Sequence, residues 1–257
     1  MTEIATTAVV DRQAELDDDV RIGPYAIIGP HVRIGAGTTV GPHAILDGRT
    51  IIGRECRIFP HAAVGTEPQD LKFKGAHSFL EIGDRTVIRE FATLNPATES
   101  QESTRVGSDC LLMAYSHVAH NCRLGDHVIM ANAVNLAGHV DVGDYAIIGG
   151  VTPIHQFVRI GEHSMVGGGS RIPQDVAPYT LVSGNPPEAF GLNVVGLTRR
   201  GFTRESIDAL KKAYRLLFRS KLTVAEAASR VQNEVPMTPE VERLLQFVLT
   251  SERGVTR

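Results

Sequence analysis

The chain has 257 residues, 42% of them hydrophobic and 21% charged, and a net charge of −3. This composition excludes a disordered chain or a polyelectrolyte, and no stretch approaches the roughly 20 consecutive apolar residues of a membrane-spanning helix. The three cysteines form no CxxC pair and the amino terminus carries no secretory signal pattern, so we expect a cytoplasmic protein without disulfides.

An aliphatic residue recurs at every sixth position through most of the chain. The series runs from Ile4 to Val64, from Ile82 to Leu94 and from Val106 to Ile172. A helix repeats its apolar face at three and four residues and a strand at two, so a period of six matches neither alone. Turn residues, mostly Pro, Gly, Asn and Asp, stand two positions after many of the aliphatic ones. The pattern predicts short strands separated by bends, with three strands to a coil of 18 residues, in a mainly β fold of stacked parallel coils.

Two segments interrupt the aliphatic series, at about residues 65–81 and 95–105. The phase of six survives both interruptions, which predicts loops extruded from a continuous β-helix and not domain boundaries. Long loops on a rigid repeat are often functional. The alternative is that they are surface insertions that the fold tolerates.

The hexapeptide pattern stops after Pro178, and from Thr203 the apolar residues fall at helical spacing. Thr223-Val-Ala-Glu226 is a capping box for a second helix, and Thr238-Pro239 begins a third. We therefore predict a β-helix domain of residues 1–190 and a helical domain of residues 191–257. Such a cap protects the open end of a β-helix from edge pairing.

Positive charge is concentrated where the helices begin. Residues 199–221 contain eight Lys and Arg against two acidic residues, a balance of +6 in a chain of net charge −3. This patch favours an acidic partner or a phosphate group. The alternative is that these Lys and Arg form a solvated helix face that contributes only to solubility. Nucleic acid is not favoured, because no aromatic interleaving or nucleic-acid motif accompanies the charges.

Three residues spaced by 18 indicate a site on the outer surface of the coils. His120, Gly138 and Gln156 should lie one above another at successive bends, with His139 beside them. A neutral imidazole can act as a general base, and a glycine bend can present a free N–H to a developing oxyanion. His139 and Gln156 can bind a polar substrate. The group suits acyl transfer by direct attack, because no Ser or Cys is placed for a covalent intermediate. The alternative is that His120 is an ordinary bend residue.

A zinc site is another possible use of these imidazoles, through His117, His120 and His139. His117 precedes its aliphatic residue by one position and His120 follows it by two, so the two should lie on different parts of the coil. We therefore expect no metal and no other cofactor. The remaining histidines of the bends are interpreted as surface residues: His31, His43, His61, His127 and His163.

Several motifs, in this order and register, resemble one family. They are EPQDLK at residues 67–72, HVAH at 117–120, NLAGHV at 135–140, HQF at 155–157 and GLTRRGF at 196–202. By them the chain resembles, over essentially its whole length, the acyl-carrier-protein-dependent UDP-N-acetylglucosamine O-acyltransferases, which begin lipid A synthesis. The resemblance implies a left-handed β-helix and a homotrimer with its active sites between neighbouring copies. It also implies transfer of a fatty acyl chain, expected to carry a 3-hydroxyl, from acyl carrier protein to the sugar 3-hydroxyl.

The same resemblance implies roles for single residues. His120 is expected to be the general base, Gly138 the oxyanion donor, and Gly168 the end of the acyl-chain ruler. The basic helices would dock the acidic carrier protein. The expected substrate contacts, of which the last three bind the nucleotide, are Asp70, Lys72, His117, His139, Gln156, Asn193, Arg199 and Arg200.

The chain departs from the family pattern at three places. Asn121 stands where an Asp often follows the catalytic His, and an amide can orient an imidazole but cannot stabilise its cation as a carboxylate would. Leu94–Thr98 lacks a basic residue, and Pro186 and Val195 replace polar nucleotide contacts. The alternatives left open are an acyltransferase that uses coenzyme A or a 3-amino sugar, a zinc-dependent hydratase of the same fold, and a non-catalytic binding solenoid.

Overall fold

A computed structural model describes all 257 residues, and the hexapeptides fold into short strands separated by bends. Strands one coil apart pair in parallel, and where no loop intervenes the partners differ by 18 residues, as in Glu3 with Arg21 and Arg105 with Arg123. Three sheets form the three faces of a left-handed parallel β-helix. The predicted fold class is confirmed.

From β1 to β25 every third strand belongs to the same sheet, and β26 and β27 extend the first sheet. The first sheet contains β1 (Glu3–Ile4), β4 (Arg21–Ile22), β7 (Thr39–Val40), β10 (Arg57–Ile58), β13 (Val87–Ile88), β16 (Leu111–Leu112), β19 (Ile129–Met130), β22 (Ile147–Ile148), β25 (Met165–Val166), β26 (Thr180–Gly184) and β27 (Pro187–Leu192). The second contains β2 (Val9–Val10), β5 (Ile27–Ile28), β8 (Ile45–Leu46), β11 (Ala63–Val64), β14 (Thr93–Leu94), β17 (His117–Val118), β20 (Asn135–Leu136) and β23 (Pro153–Ile154). The third contains β3 (Glu15–Leu16), β6 (Arg33–Ile34), β9 (Arg49–Ile52), β12 (Phe79–Ile82), β15 (Ser103–Val106), β18 (Arg123–Leu124), β21 (Asp141–Val142) and β24 (Arg159–Ile160).

The aliphatic residue of each hexapeptide points inward. From Ile22 to Ile172 this column is buried, and it forms the axis of one continuous core of 60 residues that extends into the helices. Burial of each such side chain contributes on the order of 1.5–3 kcal/mol. Because like residues stack on like, small aliphatics fill the interior, which explains the low aromatic content.

Most bends impose a left-handed backbone conformation on one residue. This residue stands three positions after the aliphatic one, and Asn121 (φ 60°) and His139 (φ 61°) are two examples. Asn tolerates this conformation better than most residues. The bends therefore present the side chains of neighbouring coils in vertical columns outside the core.

Four helices follow the β-helix: α1 (Val194–Arg199), α2 (Arg204–Phe218), α3 (Val224–Glu234) and α4 (Pro239–Leu249). The capping box of Thr223 and Glu226 and the Thr238 cap are present as predicted. The antiparallel pair β26–β27, which ends the first sheet, was not predicted from the sequence. Strand β27 runs through residue 190, and the division at residues 190 and 191 stays a prediction.

Candidate active site

Both long loops and all three aligned site residues lie on one edge of the β-helix. Loop 1 (residues 65–78) leaves the second sheet after β11 and returns to the third at β12, and loop 2 (residues 95–102) does the same between β14 and β15. His120, Gly138 and Gln156 occupy the corresponding bends one, two and three coils further along. We call this edge, between the second and third sheets, ridge 2–3. The preserved phase of the hexapeptides therefore carries the loops to the same ridge as the candidate base.

His120 lies directly over Gly138. A Cβ added to Gly138 would stand 2.5 Å from Cε1 and 2.6 Å from Nε2 of the His120 imidazole, so only glycine fits beneath the ring. The Gly138 carbonyl accepts from the N–H of Phe157, whereas the Gly138 N–H makes no hydrogen bond within the protein. The ridge thus presents an imidazole and a free amide donor side by side. Gln156 is exposed one coil beyond.

Asn121 fixes the tautomer of His120. Its Oδ1 accepts from the backbone N–H of Thr98 at 3.1 Å and lies 2.9 Å from Nδ1 of His120. Because an oxygen faces Nδ1, that nitrogen carries the proton and Nε2 keeps its lone pair. The His120 side chain is 16% exposed, so the basic nitrogen is accessible from only one side.

Loop 1 brings Asp70 to the same imidazole. One Asp70 oxygen accepts from the backbone N–H of Lys72, which holds the carboxylate in a turn, and the other lies 3.7 Å from Nε2 of His120. A separation of 3.7 Å leaves no direct hydrogen bond, so the pair frames a space for a polar group. Lys72 is exposed on the same loop and its side chain makes no polar contact.

Asn95 joins the two loops at their base. Its side chain is 2% exposed, and Nδ2 donates to the carbonyls of Thr66 at 2.9 Å and Glu67 at 3.2 Å. The neighbouring Ala97 carbonyl accepts from Ser78. Leu94–Thr98, which lacks the basic residue of the family pattern, therefore serves here as a connection between the two loops.

We expect Asn95→Ala to loosen loop 1 and lower kcat/KM by about tenfold, because the part-buried hydrogen bonds that join Thr66 and Glu67 to loop 2 are lost, at about 0.5–1.5 kcal/mol each. Steady-state kinetics and thermal unfolding measure the two effects. The matched control is Asn135→Ala, which removes an exposed amide bonded only to Ala133 of its own bend. Equal kinetics for both variants would show that Asp70 is placed without Asn95.

His117 and His139 flank the base from opposite sides. His117 hydrogen-bonds Thr93 at 2.7 Å, and burial lowers the pKa of His117 below its ordinary value, with a smaller contribution from His120. At neutral pH His117 is therefore uncharged. His139 packs edge-on against His120, with 5.2 Å between ring centroids, and stacks on Phe157. An open groove of about 640 Å³ runs along this part of the ridge.

The remaining expected contacts lie on other ridges. Asn193 caps α1 and donates to the carbonyl of His163, and Arg200 packs 4.0 Å over the ring of Tyr145, so both lie on ridge 3–1, between the third and first sheets. Arg199 is the last residue of α1. Gly168 follows β25 on ridge 1–2, between the first and second sheets. Within one chain these residues do not join His120.

His163 corrects the surface interpretation of the bend histidines. Its ring stacks between Tyr145 and Tyr179 and meets Phe202 edge-on, and Nδ1 is buried without a partner. Burial lowers the pKa of His163. The prediction failed because the helical domain covers this bend.

No cysteine thiol is available at the site as a nucleophile for covalent catalysis. Cys122 is the nearest thiol in sequence, but its side chain points inward to the Ala137 carbonyl and burial raises its pKa to about 12. No group of three or more His, Cys, Asp or Glu side chains is arranged to hold a metal ion. None of the four helices is long and apolar enough to cross a bilayer.

Comparisons with known proteins agree along the chain. A family model described as "Udp N-acetylglucosamine O-acyltransferase; Domain 2" matches residues 175–256, and a bacterial transferase hexapeptide model matches residues 13–48 and 103–138. The chain is 55% identical over 258 residues to a Trichlorobacter lovleyi protein and 48% identical over 258 residues to one from Thermodesulfovibrio yellowstonii, at 99–100% coverage of both chains. Both are named acyl-[acyl-carrier-protein]–UDP-N-acetylglucosamine O-acyltransferase.

Solved structures give the same result. LpxA from Acinetobacter baumannii superposes with a TM-score of 0.95 at 46% identity, covering 99% of each chain. LpxA from Bacteroides fragilis, a UDP-N-acetylglucosamine acyltransferase, gives 0.96 at 38% identity over 98% of this chain and 99% of that one.

Proposed function

We infer the function from family membership, because this chain belongs to the acyl-[acyl-carrier-protein]–UDP-N-acetylglucosamine O-acyltransferases. It is an acyltransferase that moves an acyl chain from acyl carrier protein to UDP-N-acetylglucosamine, the first step of lipid A biosynthesis. The observation that supports a site for this activity is the His120 imidazole over Gly138, whose N–H makes no hydrogen bond within the protein.

We propose the following roles at that place. Nε2 of His120 removes the proton of the sugar 3-hydroxyl as its oxygen attacks the thioester carbonyl. The Gly138 N–H stabilises the oxyanion of the tetrahedral intermediate. Collapse of the intermediate breaks the carbon–sulfur bond, and the departing thiolate takes the proton from His120. Asp70, Lys72, His117, His139 and Gln156 bind the substrates along the ridge.

The experiment that tests this function compares donors and acceptors. The purified protein is incubated with acyl carrier protein or coenzyme A thioesters, and with UDP-N-acetylglucosamine or its 3-amino analogue. We expect an alkali-labile ester from the carrier protein and the hydroxyl sugar. An alkali-stable amide, formed only with the amino analogue, or turnover with coenzyme A alone would assign the chain to a different substrate class.

We propose that Gly168 ends the acyl-binding groove. A Cβ there would meet only backbone atoms of the neighbouring coil, with the Gly150 carbonyl nearest at 3.2 Å and the Gly150 nitrogen at 3.5 Å. Gly168→Val is expected to shift the preferred acyl chain to a shorter length, since each methylene that loses its place costs about 0.8 kcal/mol, or roughly fourfold in rate. Rates with a ladder of acyl carrier proteins measure the shift. An unchanged optimum with a uniform fall in rate would place the end of the groove elsewhere.

We propose a homotrimer in which neighbouring copies complete each site. The nucleotide residues Asn193, Arg199 and Arg200 lie on a different ridge from His120, so a second copy is needed to bring them together. A half-buried apolar row on the outside of the first sheet supplies a surface for that contact: Val87, Leu111, Ile129, Ile147 and Met165. Sedimentation equilibrium should give three times the chain mass of 27.8 kDa.

We propose a cytoplasmic location. Cys56, Cys110 and Cys122 are all buried and unpaired, as expected for a protein kept in a reducing compartment. Cell fractionation with immunodetection tests the location, and recovery in a periplasmic fraction would contradict it.

A further inference from the structure

The amide of Asn121 is held by loop 2 from the side that faces away from His120. Its Nδ2 donates one hydrogen to Glu102 Oε2 at 2.6 Å and the other to Glu99 Oε2 at 3.2 Å. Both amide hydrogens therefore end on carboxylates. Since carboxylates only accept hydrogen bonds, Nδ2 must face loop 2 and Oδ1 must face the imidazole.

Loop 2 is itself fixed in this position. The Thr98 hydroxyl donates to Glu99 at 2.7 Å, and this bond, ahead of the one from Asn121, lowers the pKa of Glu99 below its usual value. The backbone N–H of Asn121 donates to the buried Thr104 hydroxyl at 2.8 Å. The chain of contacts from Glu102 through Asn121 to His120 is therefore ordered at every step.

We propose that Glu99 and Glu102 are positioning residues for His120, which act through the Asn121 amide to keep the proton on Nδ1 and the lone pair on Nε2. This arrangement accounts for the presence of Asn121 where the family often has Asp. The negative charge that a directly bonded carboxylate would supply is present, but it lies one amide further from the imidazole. As Nε2 takes the substrate proton, the two carboxylates face the new cation through a polarised hydrogen-bond chain.

This inference rests on the proposed function, and its test is separable from that function. The proposed function is tested separately, by the turnover of the wild-type protein and its loss in a His120 variant. Glu99→Ala/Glu102→Ala removes both acceptors, and we expect kcat to fall about tenfold or more with KM for the sugar nucleotide nearly unchanged. Glu102→Ala alone should cost more than Glu99→Ala, because its bond is the shorter one. Long-range ¹H–¹⁵N spectra of the labelled imidazole should show the Nε2–H tautomer gaining population.

Rescue of kcat by a second substitution distinguishes a positioning role of the two glutamates from a role in the stability of the fold. In the double-alanine background, Asn121→Asp presents an oxygen to Nδ1 whichever way it turns, so we expect it to restore most of kcat. In the wild-type background the same change places a third carboxylate against Glu99 and Glu102 and should lower kcat. The matched control is Glu242→Ala, which removes an exposed carboxylate of α4 outside the groove that has no contact with Asn121 and should leave kcat within about twofold.

Two results would overturn the proposal. One is an unchanged kcat and tautomer in the double-alanine variant. The other is a loss that Asn121→Asp fails to rescue although thermal unfolding shows a folded protein. If the double variant does not fold, the Asn121→Asp change in the wild-type background decides, because undiminished activity there would mean that the carboxylates do not act on the amide.

Discussion

Replacement of His120 by alanine is expected to lower kcat by about 10³-fold, the usual contribution of a general base. The variant loses the imidazole that lies against Gly138, whose N–H makes no hydrogen bond within the protein. Single-turnover transfer from acyl carrier protein to the sugar nucleotide measures the chemical step without interference from product release.

Binding should survive this substitution. Asp70, Lys72 and His117 remain in place, and the core beneath the bend does not include the imidazole. Isothermal titration with the sugar nucleotide and a melting curve provide the control. A variant that binds, folds and still turns over at more than about a tenth of the wild-type rate would contradict the general-base role.

Gly138→Ala is expected to lower kcat by about 10²-fold. The new methyl group would stand 2.5 Å from Cε1 of His120, so the imidazole must move, and displacement of a reacting group by about 1 Å has an effect of this size. The same assay measures the loss, and a crystal structure of the variant measures the displacement.

The double variant His120→Ala/Gly138→Ala distinguishes a steric clash between the new methyl group and the imidazole from a general loss of stability. With His120→Ala the space above residue 138 is empty, so Gly138→Ala should then cost no thermal stability. If Gly138→Ala destabilises the protein equally with and without the imidazole, the bend itself requires glycine and the steric account is wrong.

Sequence periodicity predicts most of this fold because each hexapeptide buries the same kind of side chain in the same place. The aliphatic column and the caps at Thr223 and Thr238 are local patterns, and both are confirmed. The two interruptions, predicted at about residues 65–81 and 95–105, correspond to segments between strands at 65–78 and 95–102. The hairpin β26–β27 has no period and depends on tertiary packing, as in the bond from Tyr214 to the Ala189 carbonyl. Periodicity could not predict it.

The candidate site likewise contains features that follow the repeat and contacts that do not. A spacing of 18 predicts that His120, Gly138 and Gln156 share a ridge, and they do. The contacts of Asn95 with Thr66 and of Asn121 with Glu102 join loop residues that follow no repeat, so no spacing could predict them. The one available signal is a polar residue directly after the candidate base His120, together with two glutamates in the nearest loop.

The register of the coils limits how this protein can change in length. Six residues added between His120 and Gly138 would turn everything beyond them by one face of the triangle, and the base would then lie over the wrong edge. Only an insertion of a whole coil preserves the remaining ridges, and between these two residues even that would move them apart by one additional strand spacing of about 4.8 Å. Duplication or loss of a coil is consequently compatible with activity only outside the segment from loop 1 to Gln156. We therefore expect variation in the length of the β-helix to occur in its amino-terminal coils.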